Sequence, residues 1–537
     1  MRVLTYFLCL FVLTVGCSGK NEVKTENVPA DVTPSLGIRP NGDTEIKPDL
    51  TQVSDELQEV FSYIDAHIDE DVVRLQRELQ QPSISNTGEG IPETAQRVRG
   101  YFEELGCQES TVHEVGETEW GAQGNPVVYA RCDVGAERTL LLYWMYDTMP
   151  ITQPDLWNYP PFDAEIVEQP PFSKVVIARG ASNSKGPQMS QFNALLAIKT
   201  VTGTLPVNLI VVAEGDEERM SIGFRKFVKD NVELFEDADA MFRFGGQGFS
   251  GGASITGGSE GCVYIELTTS GAAWGRGPTY GDIHGWWKRS SDSPAIRHIT
   301  MLSSLYSDDG NRALVDGFYD DIEPLAPEIE ATLRRNGENL DLEQVARNVG
   351  VGRFMTDDPV DYLRMQYYGM SFNLDGIWGG NMYGGGAGAI LPSQLTSKHN
   401  IRYVPVQDGI ELTSKIRTQL DRNGYEDVEM RVIGDVPWCK MSYDTDVANA
   451  LKKTYDIFGI SYGEPPAIPQ ILGGYWPAYL FGRDPLVMPI VAGGAGHGGG
   501  AHANNEYYVI EGAGKVYGLA GAEKAFATSL YNFGGKN

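Results

Sequence analysis

The amino-acid sequence predicts an α/β protein whose mixed sheet, covered by helices, is interrupted by an inserted α+β domain. Three observations support this fold class. Short apolar runs of strand length alternate with helical stretches in the first half of the chain. A glycine-rich segment follows at residues 245–261, and a buried-strand pattern returns at residues 485–492. Chains longer than about 300 residues usually divide into separate cores, so an inserted domain accounts for both changes.

The first 17 residues have the features of an export signal. Arg2 precedes an apolar run that is shorter than the roughly 20 residues needed to span a bilayer. Residues 14–17, which end in Cys17, approximate the box at which bacterial lipoproteins are cleaved and acylated. We therefore expect residues 1–17 to be a lipoprotein signal peptide. The mature protein would be exported and lipid-anchored to a bacterial membrane, facing the periplasm or the cell surface. An ordinary signal peptide cut nearby is the alternative.

Residues 18–49 are predicted to be a disordered tether, because they are rich in Lys, Asn, Glu, Thr, Pro and Asp and show no sustained apolar period. The formal net charge is −29, which opposes binding to nucleic acid. We expect contact with a membrane only through the lipid anchor. The cysteines are scattered and form no CxxC pattern, so a cysteine-based zinc site is not expected. One or two disulfides, or free buried thiols, both remain open.

The catalytic domain is predicted at residues 50–260 and 437–537. Helical periodicity at residues 56–81 and 93–105 opens it. Strand-length apolar runs follow at residues 127–130, 139–146 and 207–213, with a helical stretch at residues 188–201 before the last of these runs. The inserted domain, residues 261–436, is called the lid domain below. It combines alternating, strand-like segments with helical stretches, and the family resemblance described below implies that it covers the site or mediates dimerisation.

Polar residues stand directly after two of the buried runs. Asp147 follows the run TLLLYWMY, and Glu217 and Glu218 follow the run VNLIVVA. In open α/β sheets, ligands bind beyond the carboxyl ends of the strands. Neighbouring carboxylates repel each other unless a cation or a raised pKa relieves them, so Glu217 and Glu218 could form a base-and-ligand pair. A solvated acidic loop is the alternative.

Two glycine-rich turns carry further candidates. Residues 178–186 (ARGASNSKG) join a predicted strand to a helix, and residues 496–506 contain His497 and His502. Neutral imidazole is the commonest metal ligand, although a glycine-rich loop can also be merely flexible. A third segment, residues 248–252, fits the G-x-S-x-G pattern of serine hydrolases. That chemistry needs a strand before the serine and a helix after it, and the glycine-rich sequence here will not form the helix.

The order of these pieces resembles a known family. The segments YWMYDTMP, ARGASNSKG, EGDEE, FGG, GDIHG and AHANNE occur in this order, and IRYVP forms a further strand. They are similar to the motifs of the carnosinase and metallo-aminoacylase peptidases, whose relatives include acetylornithine deacetylase and succinyl-diaminopimelate desuccinylase. The resemblance spans about residues 57–531 and is nearest to the carnosinase-like branch. It implies a zinc-exopeptidase-like catalytic domain with an inserted lid, and a homodimer.

The resemblance also implies catalytic roles. Glu217 would be the general base that activates water, and Asp147 would support the first metal-ligand position. His284 of the lid domain would stabilise the tetrahedral oxyanion, often from the partner subunit, and would also contact substrate. Arg402 would bind a substrate carboxylate, for which the guanidinium geometry is suited.

Glu218 and His502 match metal-ligand positions of the family, whereas other ligand positions are changed. Met145 stands in place of a His, Asn183 in place of the bridging Asp, and Gly245 in place of the last acidic ligand. A neutral Asn cannot bridge two dications as a carboxylate does. We therefore expect at most one divalent metal per chain, zinc or alternatively manganese, held by Glu218, His502 and Asn183. Asp147 or His497 could serve as replacement ligands.

The predicted function is metal-assisted hydrolysis of an amide bond in a small peptide or N-acyl amino acid that carries a carboxylate. The family's G-G-S-I-P segment is altered at residues 465–469, so recognition of the carboxyl end of the substrate could differ. A binding protein that keeps the fold without hydrolysis is one alternative. A hydrolase of a non-peptide C–N bond with a remodelled metal centre is another.

Overall fold

The computed structural model describes residues 35–537 apart from residues 339, 386, 443 and 463–473. The predicted signal peptide, residues 18–34 of the predicted tether and the altered segment at residues 465–469 lie outside the described residues. Across the part that is described, no helix is long and apolar enough to cross a membrane.

The main elements follow the predicted alternation of strands and helices. In chain order, the main strands are β1 (Glu109–His113), β2 (Val127–Cys132), β3 (Thr139–Met145), β4 (Glu165–Gln169), β5 (Phe172–Ile177), β6 (Asn208–Glu214), β7 (Ala240–Phe244), β8 (Gly261–Ser270), β9 (Ser371–Trp378), β10 (Gln394–Tyr403), β11 (Glu429–Val436), β12 (Ile490–Gly493), β13 (Gly498–Gly499) and β14 (Tyr507–Glu511). The longer helices are α1 (Asp55–Leu79), α2 (Ile91–Glu104), α3 (Gly186–Thr202), α4 (Ile222–Asp230), α5 (Pro294–Ser303), α6 (Pro327–Gly337), α7 (Leu342–Val349), α8 (Pro359–Tyr368), α9 (Gly409–Arg422), α10 (Asp446–Phe458) and α11 (Leu519–Phe533).

A mixed six-stranded sheet forms the centre of the catalytic domain, which confirms the predicted fold class. Its strand order is β12, β7, β3, β6, β2, β1. The first four strands are parallel, and β2 and β1 continue the sheet in antiparallel pairing. Helices α1, α2, α3, α10 and α11 bury one face of this sheet, and α4 packs on the other face. The parallel strands therefore present their carboxyl ends along one edge, as β-α-β connections require.

Helix α1 shows how the sequence specifies this packing. It begins after Ser54 with Asp55 and Glu56 in its first turn, where negative charge favours the helix dipole. Its buried apolar residues recur every three or four positions from Leu57 to Leu79, which places them on one face. Each such side chain contributes about 2 kcal/mol on burial.

Residues 35–49, called the N-terminal strap below, pack against the catalytic domain, which corrects their assignment to the disordered tether. Three consecutive backbone N–H groups, at residues 36–38, donate to the carboxylate of Asp69 on α1. The Ile38 side chain is buried, and the short strand Asp43–Thr44 pairs in parallel with a strand near the C-terminus. The composition of the strap does not predict this packing, because backbone groups, rather than apolar side chains, make most of the contacts.

The lid domain is built on an antiparallel sheet of four strands in the order β9, β10, β8, β11. Helices α5 and α9 cover one face of the sheet and bury a separate apolar core around Val263, Ile265 and Ile416. Strand β9 is an edge strand, and most of its residues are exposed. The lid domain joins the catalytic domain beside a short pairing of Gly258–Ser259 with Cys439–Lys440.

Cysteine usage, which the sequence left open, is mixed. Cys107 and Cys132 form a disulfide between the end of the α2 segment and β2. Cys262 and Cys439 are buried free thiols. The disulfide suits an oxidising compartment.

Candidate active site

The predicted carboxylate site forms where β3 and β6 end side by side. Met145, the last residue of β3, pairs in register with Glu214, the last residue of β6. The N–H of Tyr146 donates to the carbonyl of Glu214, so the two chains stay together beyond the strands. This contact brings Asp147 next to residues 214–218, which are called the acidic turn below.

Asp147 is fully buried and holds the acidic turn in place. Its two carboxylate oxygens accept the N–H groups of Glu217 (3.2 Å) and Glu218 (3.0 Å). Burial, together with the charge of Glu218, raises the pKa of Asp147 to about 8. Each oxygen of Asp147 thus accepts one backbone group, an arrangement that suits the supporting role implied by the resemblance.

Glu217 is buried among other carboxyl groups. Burial and the charges of Glu218 and Asp147 raise its pKa well above the ordinary value, while the charges of Arg243 and Arg402 act in the opposite direction. A proton acceptor in this environment needs nearby positive charge to be ionised near neutral pH.

Glu214 adds another buried carboxyl group to the acidic turn. Its Oε1 accepts hydrogen bonds from the hydroxyls of Tyr143 (2.6 Å) and Ser221 (2.9 Å). Burial and the charge of Asp147 raise the pKa of Glu214 well above the ordinary value. Glu214 opens the EGDEE segment, but the sequence assigned it no role of its own.

Glu218, Asn183 and His502 meet in one cluster, as the sequence predicts. Asn183 Nδ2 donates to Glu218 Oε1 (2.8 Å), and His502 Nε2 lies 3.0 Å from the same oxygen. Asn183 Nδ2 and His502 Nε2 are 3.1 Å apart. The hydrogen bond with Glu218 raises the pKa of His502. These three side chains come from three segments far apart in the sequence.

Glu506 fixes the turn that carries Asn183. Its carboxylate accepts hydrogen bonds from Arg179 Nη1 (2.7 Å) and from the N–H groups of Gly180 (2.9 Å), Ser182 (2.9 Å) and Asn183 (2.8 Å). Glu506 is buried, so this set of charge-assisted bonds orients the turn rigidly. Glu506 closes the AHANNE segment, but its sequence context indicated no role for it.

Arg402 and Arg243 are the two arginines that act electrostatically on Glu217. Arg402 lies on β10 of the lid domain, and its Nη1 forms an ion pair with Glu260 Oε1 at 2.6 Å. Arg243 lies on β7, over the ring of Trp476. Among the described residues, no carboxylate lies within 4 Å of the Arg243 guanidinium. A charged residue within the apolar strand AMFRF was the available signal for Arg243.

Two further histidines, His284 and His497, were candidates from the sequence. His284 is exposed on the lid domain, where its Nδ1 accepts the N–H of Trp286, and no hydrogen bond within the described part of the chain joins it to Glu217. His497 is buried, and its ring nitrogens contact the Gln247 carbonyl (2.8 Å) and the Tyr507 hydroxyl (3.1 Å). Both nitrogens of His497 thus have partners within the chain, an arrangement that does not favour the expected role as a replacement metal ligand.

The fold is that of a two-domain α/β protein, with a buried cluster of carboxyl groups at the carboxyl ends of its parallel strands and an inserted second domain. The model of a family described as "Peptidase family M20/M25/M40" matches residues 141–517. The chain belongs to this family.

Curated relatives cover most of the chain. A Cys-Gly metallodipeptidase of Candida albicans is 25% identical over 478 residues, which cover 84% of this chain and 93% of that protein. The human Beta-Ala-His dipeptidase is 25% identical over 429 residues, covering 75% of this chain and 80% of the relative.

Solved structures agree in fold. A metallo-carboxypeptidase of the M20 family from Sulfolobus solfataricus superposes with a TM-score of 0.72 at 27% identity, covering 86% of this chain and 99% of that chain. A dipeptidase from Saccharomyces cerevisiae gives a TM-score of 0.76 at 23% identity, covering 89% and 98%.

The residues of this site do not fit a two-metal centre. Among the described residues, no group of three or more His, Cys, Asp or Glu side chains is arranged to hold a metal ion. Met145 and Gly245 offer no strong donor, and Asn183 offers only a neutral amide. Glu218 and His502, with the amide oxygen of Asn183 after rotation about χ2, form a donor set suited to a single cation.

Proposed function

We propose that this protein hydrolyses the amide bond of small peptides or N-acyl amino acids that carry a carboxylate. The observation that carries the proposal is the position of Glu217. It is a buried carboxyl group at the edge of the sheet, held by Asp147 through the backbone and influenced by two arginines. Membership in a peptidase family whose relatives include dipeptidases supports the same reaction class.

In this proposal Glu217 accepts a proton from the attacking water and returns it to the leaving amine. Arg402 binds the substrate carboxylate. Its guanidinium belongs to the lid domain, and its charge lowers the pKa of Glu217, so it lies near the proposed base. The positive charge of a bound cation and of the arginines would lower the pKa of Glu217 into the range in which it can work as a base.

The proposed cofactor is one divalent cation per chain, zinc or alternatively manganese. Glu218, His502 and Asn183 would hold it. When bound, such a cation supplies Lewis acidity and lowers the pKa of a water molecule. The crowding of Asp147, Glu214, Glu217 and Glu218 supports a cation here, because a positive charge would relieve their mutual repulsion without protonation of the carboxyl groups.

We also propose that the protein is a homodimer, with His284 reaching the cleft of the partner subunit. Trp286 and Trp287 beside His284 are 53% and 47% exposed, which is unusual for large apolar side chains. The exposed edge strand β9 offers a second surface for pairing. Export and lipid anchoring through Cys17 remain part of the proposal on the sequence features alone.

A second candidate function is the binding of small carboxylated ligands without hydrolysis. The replacement of three ligand positions, by Met145, Asn183 and Gly245, favours it. Hydrolysis of a non-peptide C–N bond in a remodelled centre would use the same Glu217.

The test is a screen of dipeptides and N-acyl amino acids with the parent protein and the Glu217→Gln variant. Glutamine keeps the shape of the side chain and removes the proton acceptor. We expect turnover to fall on the order of a hundredfold or more, with substrate binding nearly unchanged. Glu233→Gln, at an exposed position, is the matched control.

Equal turnover by Glu217→Gln and the parent would rule out Glu217 as the base. If no compound is cleaved but carboxylated ligands bind, and Arg402→Ala abolishes that binding, the second candidate function is correct.

A further inference from the structure

The carboxylate-binding arginine already has a carboxylate partner within the chain. Arg402 Nη1 lies 2.6 Å from Glu260 Oε1, and the two side chains are 29% and 16% exposed. The Arg402 guanidinium also lies over the ring of Tyr475, with 5.0 Å between the guanidinium carbon and the ring centroid. Glu260 stands at the junction of the catalytic and lid domains, directly before β8. The pair is therefore partly buried and fixed at a junction.

Both members of the pair face one cavity. This cavity has a volume of about 360 Å³, and its wall includes Glu260, Arg402, Met365, Met370, Ser371 and Gly474. Arg402 Nη1 binds Glu260 and Nε binds the Asn400 side chain, and within the described residues Nη2 donates no hydrogen bond. The cavity thus presents free guanidinium N–H groups beside a carboxylate.

A paired arginine is a poor receptor for a ligand with a single negative charge. A lone carboxylate would gain the attraction of Arg402 but meet the repulsion of Glu260 a few ångströms away. A ligand with a negative and a positive group satisfies both side chains and leaves no buried charge unpaired. The protein's net charge of −29 also favours the approach of cationic groups.

We propose that Glu260 and Arg402 together form a subsite for an amphoteric residue, namely a substrate residue whose free carboxylate binds Arg402 and whose cationic side chain binds Glu260. This inference rests on the proposed function in one respect, the role of Arg402 in binding the substrate carboxylate. It specifies the substrate class as peptides that end in a basic residue such as lysine or arginine. Glu260 is then a specificity-determining residue.

The test uses probes without an amide bond, so that binding is measured independently of hydrolysis. The probes are 6-aminohexanoate and hexanoate, which share a carboxylate and chain length and differ in the terminal ammonium group. Calorimetric or NMR titration of the full chain should show at least a tenfold preference for 6-aminohexanoate. In Glu260→Gln the preference should fall to within about twofold, and Arg402→Met should weaken both probes.

Glu266→Gln is the matched control. Glu266 lies on β8, the strand that Glu260 directly precedes. It forms an ion pair with Arg431 at 3.7 Å and does not line the cavity. Its substitution should leave the preference unchanged. Should Glu260→Gln fail to fold, adipate provides a second measurement on the parent chain alone, which must then bind 6-aminohexanoate best and adipate worst.

Equal binding of the two six-carbon probes by the parent, a preference that survives Glu260→Gln, or no binding of either probe would overturn the inference. These outcomes are separate from those of the hydrolysis screen. Cleavage of dipeptides without a preference for basic residues would retain the proposed function and remove the subsite. The converse result, selective binding without cleavage, would retain the subsite and remove the hydrolase.

Discussion

In the proposed cation site, the metal affinity is expected to depend on Asn183. It contacts both Glu218 and His502, yet its amide carries no charge. The sequence predicted this cluster through its resemblance to the carnosinase and metallo-aminoacylase peptidases, whose motifs occur here in the same order. It did not predict the partners of His497, because a histidine in a glycine-rich loop looks the same whether it binds metal or a backbone carbonyl.

The partners of other site residues could not be predicted from the sequence. Glu260 and Arg402 are 142 positions apart, and only the closure of the domain junction brings them together. Glu506 resembles any acidic loop residue until its four hydrogen bonds to residues 179–183 are seen. Such contacts depend on tertiary structure, which local patterns do not encode.

Replacing the Asn183 amide by a carboxylate should strengthen metal binding. We expect Asn183→Asp to bind zinc at least tenfold more tightly than the parent, since a charged oxygen replaces a neutral one beside Glu218 and His502. Competition with a chromogenic chelator measures the affinity, and elemental analysis should give at most one metal per parent chain. Asn504→Asp, in the same loop as His502, is the control. Two tightly held zinc ions in the parent would contradict the single-cation site.

At the scale of elements, the strands and helices of the catalytic domain followed from periodicity, whereas the N-terminal strap did not. Apolar runs such as the one that forms β6 have strand length and no polar interruption, so they predict buried parallel strands. The strap has few apolar residues and is held by carboxylates on other elements. Asp69 and Glu511 supply that attachment, and no sequence feature within residues 35–49 predicts these contacts.

Attachment of the strap should depend on pH through Glu511. Burial alone would raise the pKa of Glu511, but hydrogen bonds from Ser173 and Arg39 and the contact with Lys174 lower it to about 2. A carboxyl group with a depressed folded-state pKa stabilises the protein above its unfolded value of 4.5, and this stabilisation is lost as the pH falls towards 2. Glu511→Gln should remove this part of the pH dependence.

Denaturant unfolding at several pH values across that range provides the measurement. The parent should lose on the order of 3 kcal/mol more than Glu511→Gln as the pH falls. Glu165→Gln, at an exposed position on β4, should behave like the parent. Parallel pH profiles for the parent and Glu511→Gln would show that the strap is held by other contacts.

At the scale of the whole molecule, the lid domain carries the surfaces through which two copies would meet. We expect the double variant Trp286→Ala, Trp287→Ala to dissociate the proposed dimer, because it removes two large exposed apolar side chains next to His284. Sedimentation velocity over a range of concentrations measures this. Leu156→Ala, at a 57% exposed position on the catalytic domain, is the control. A parent protein that sediments as a monomer would refute the dimer itself.

The N-terminal strap also has a mechanical consequence. A load applied at residue 35 would first meet the bonds to Asp69, then the ion pairs of Arg39 with Glu511, then the strand Asp43–Thr44 and the Asp49 N–H, which donates to the Ile457 carbonyl. Glu511 ends β14, whereas Glu506, which holds the turn of Asn183, precedes the opposite end of the same strand. Tension is therefore taken up at several points before it reaches the cleft. For a chain held by its N-terminal side, we expect these contacts to bear a pulling force before it reaches the cluster of Asn183, Glu218 and His502.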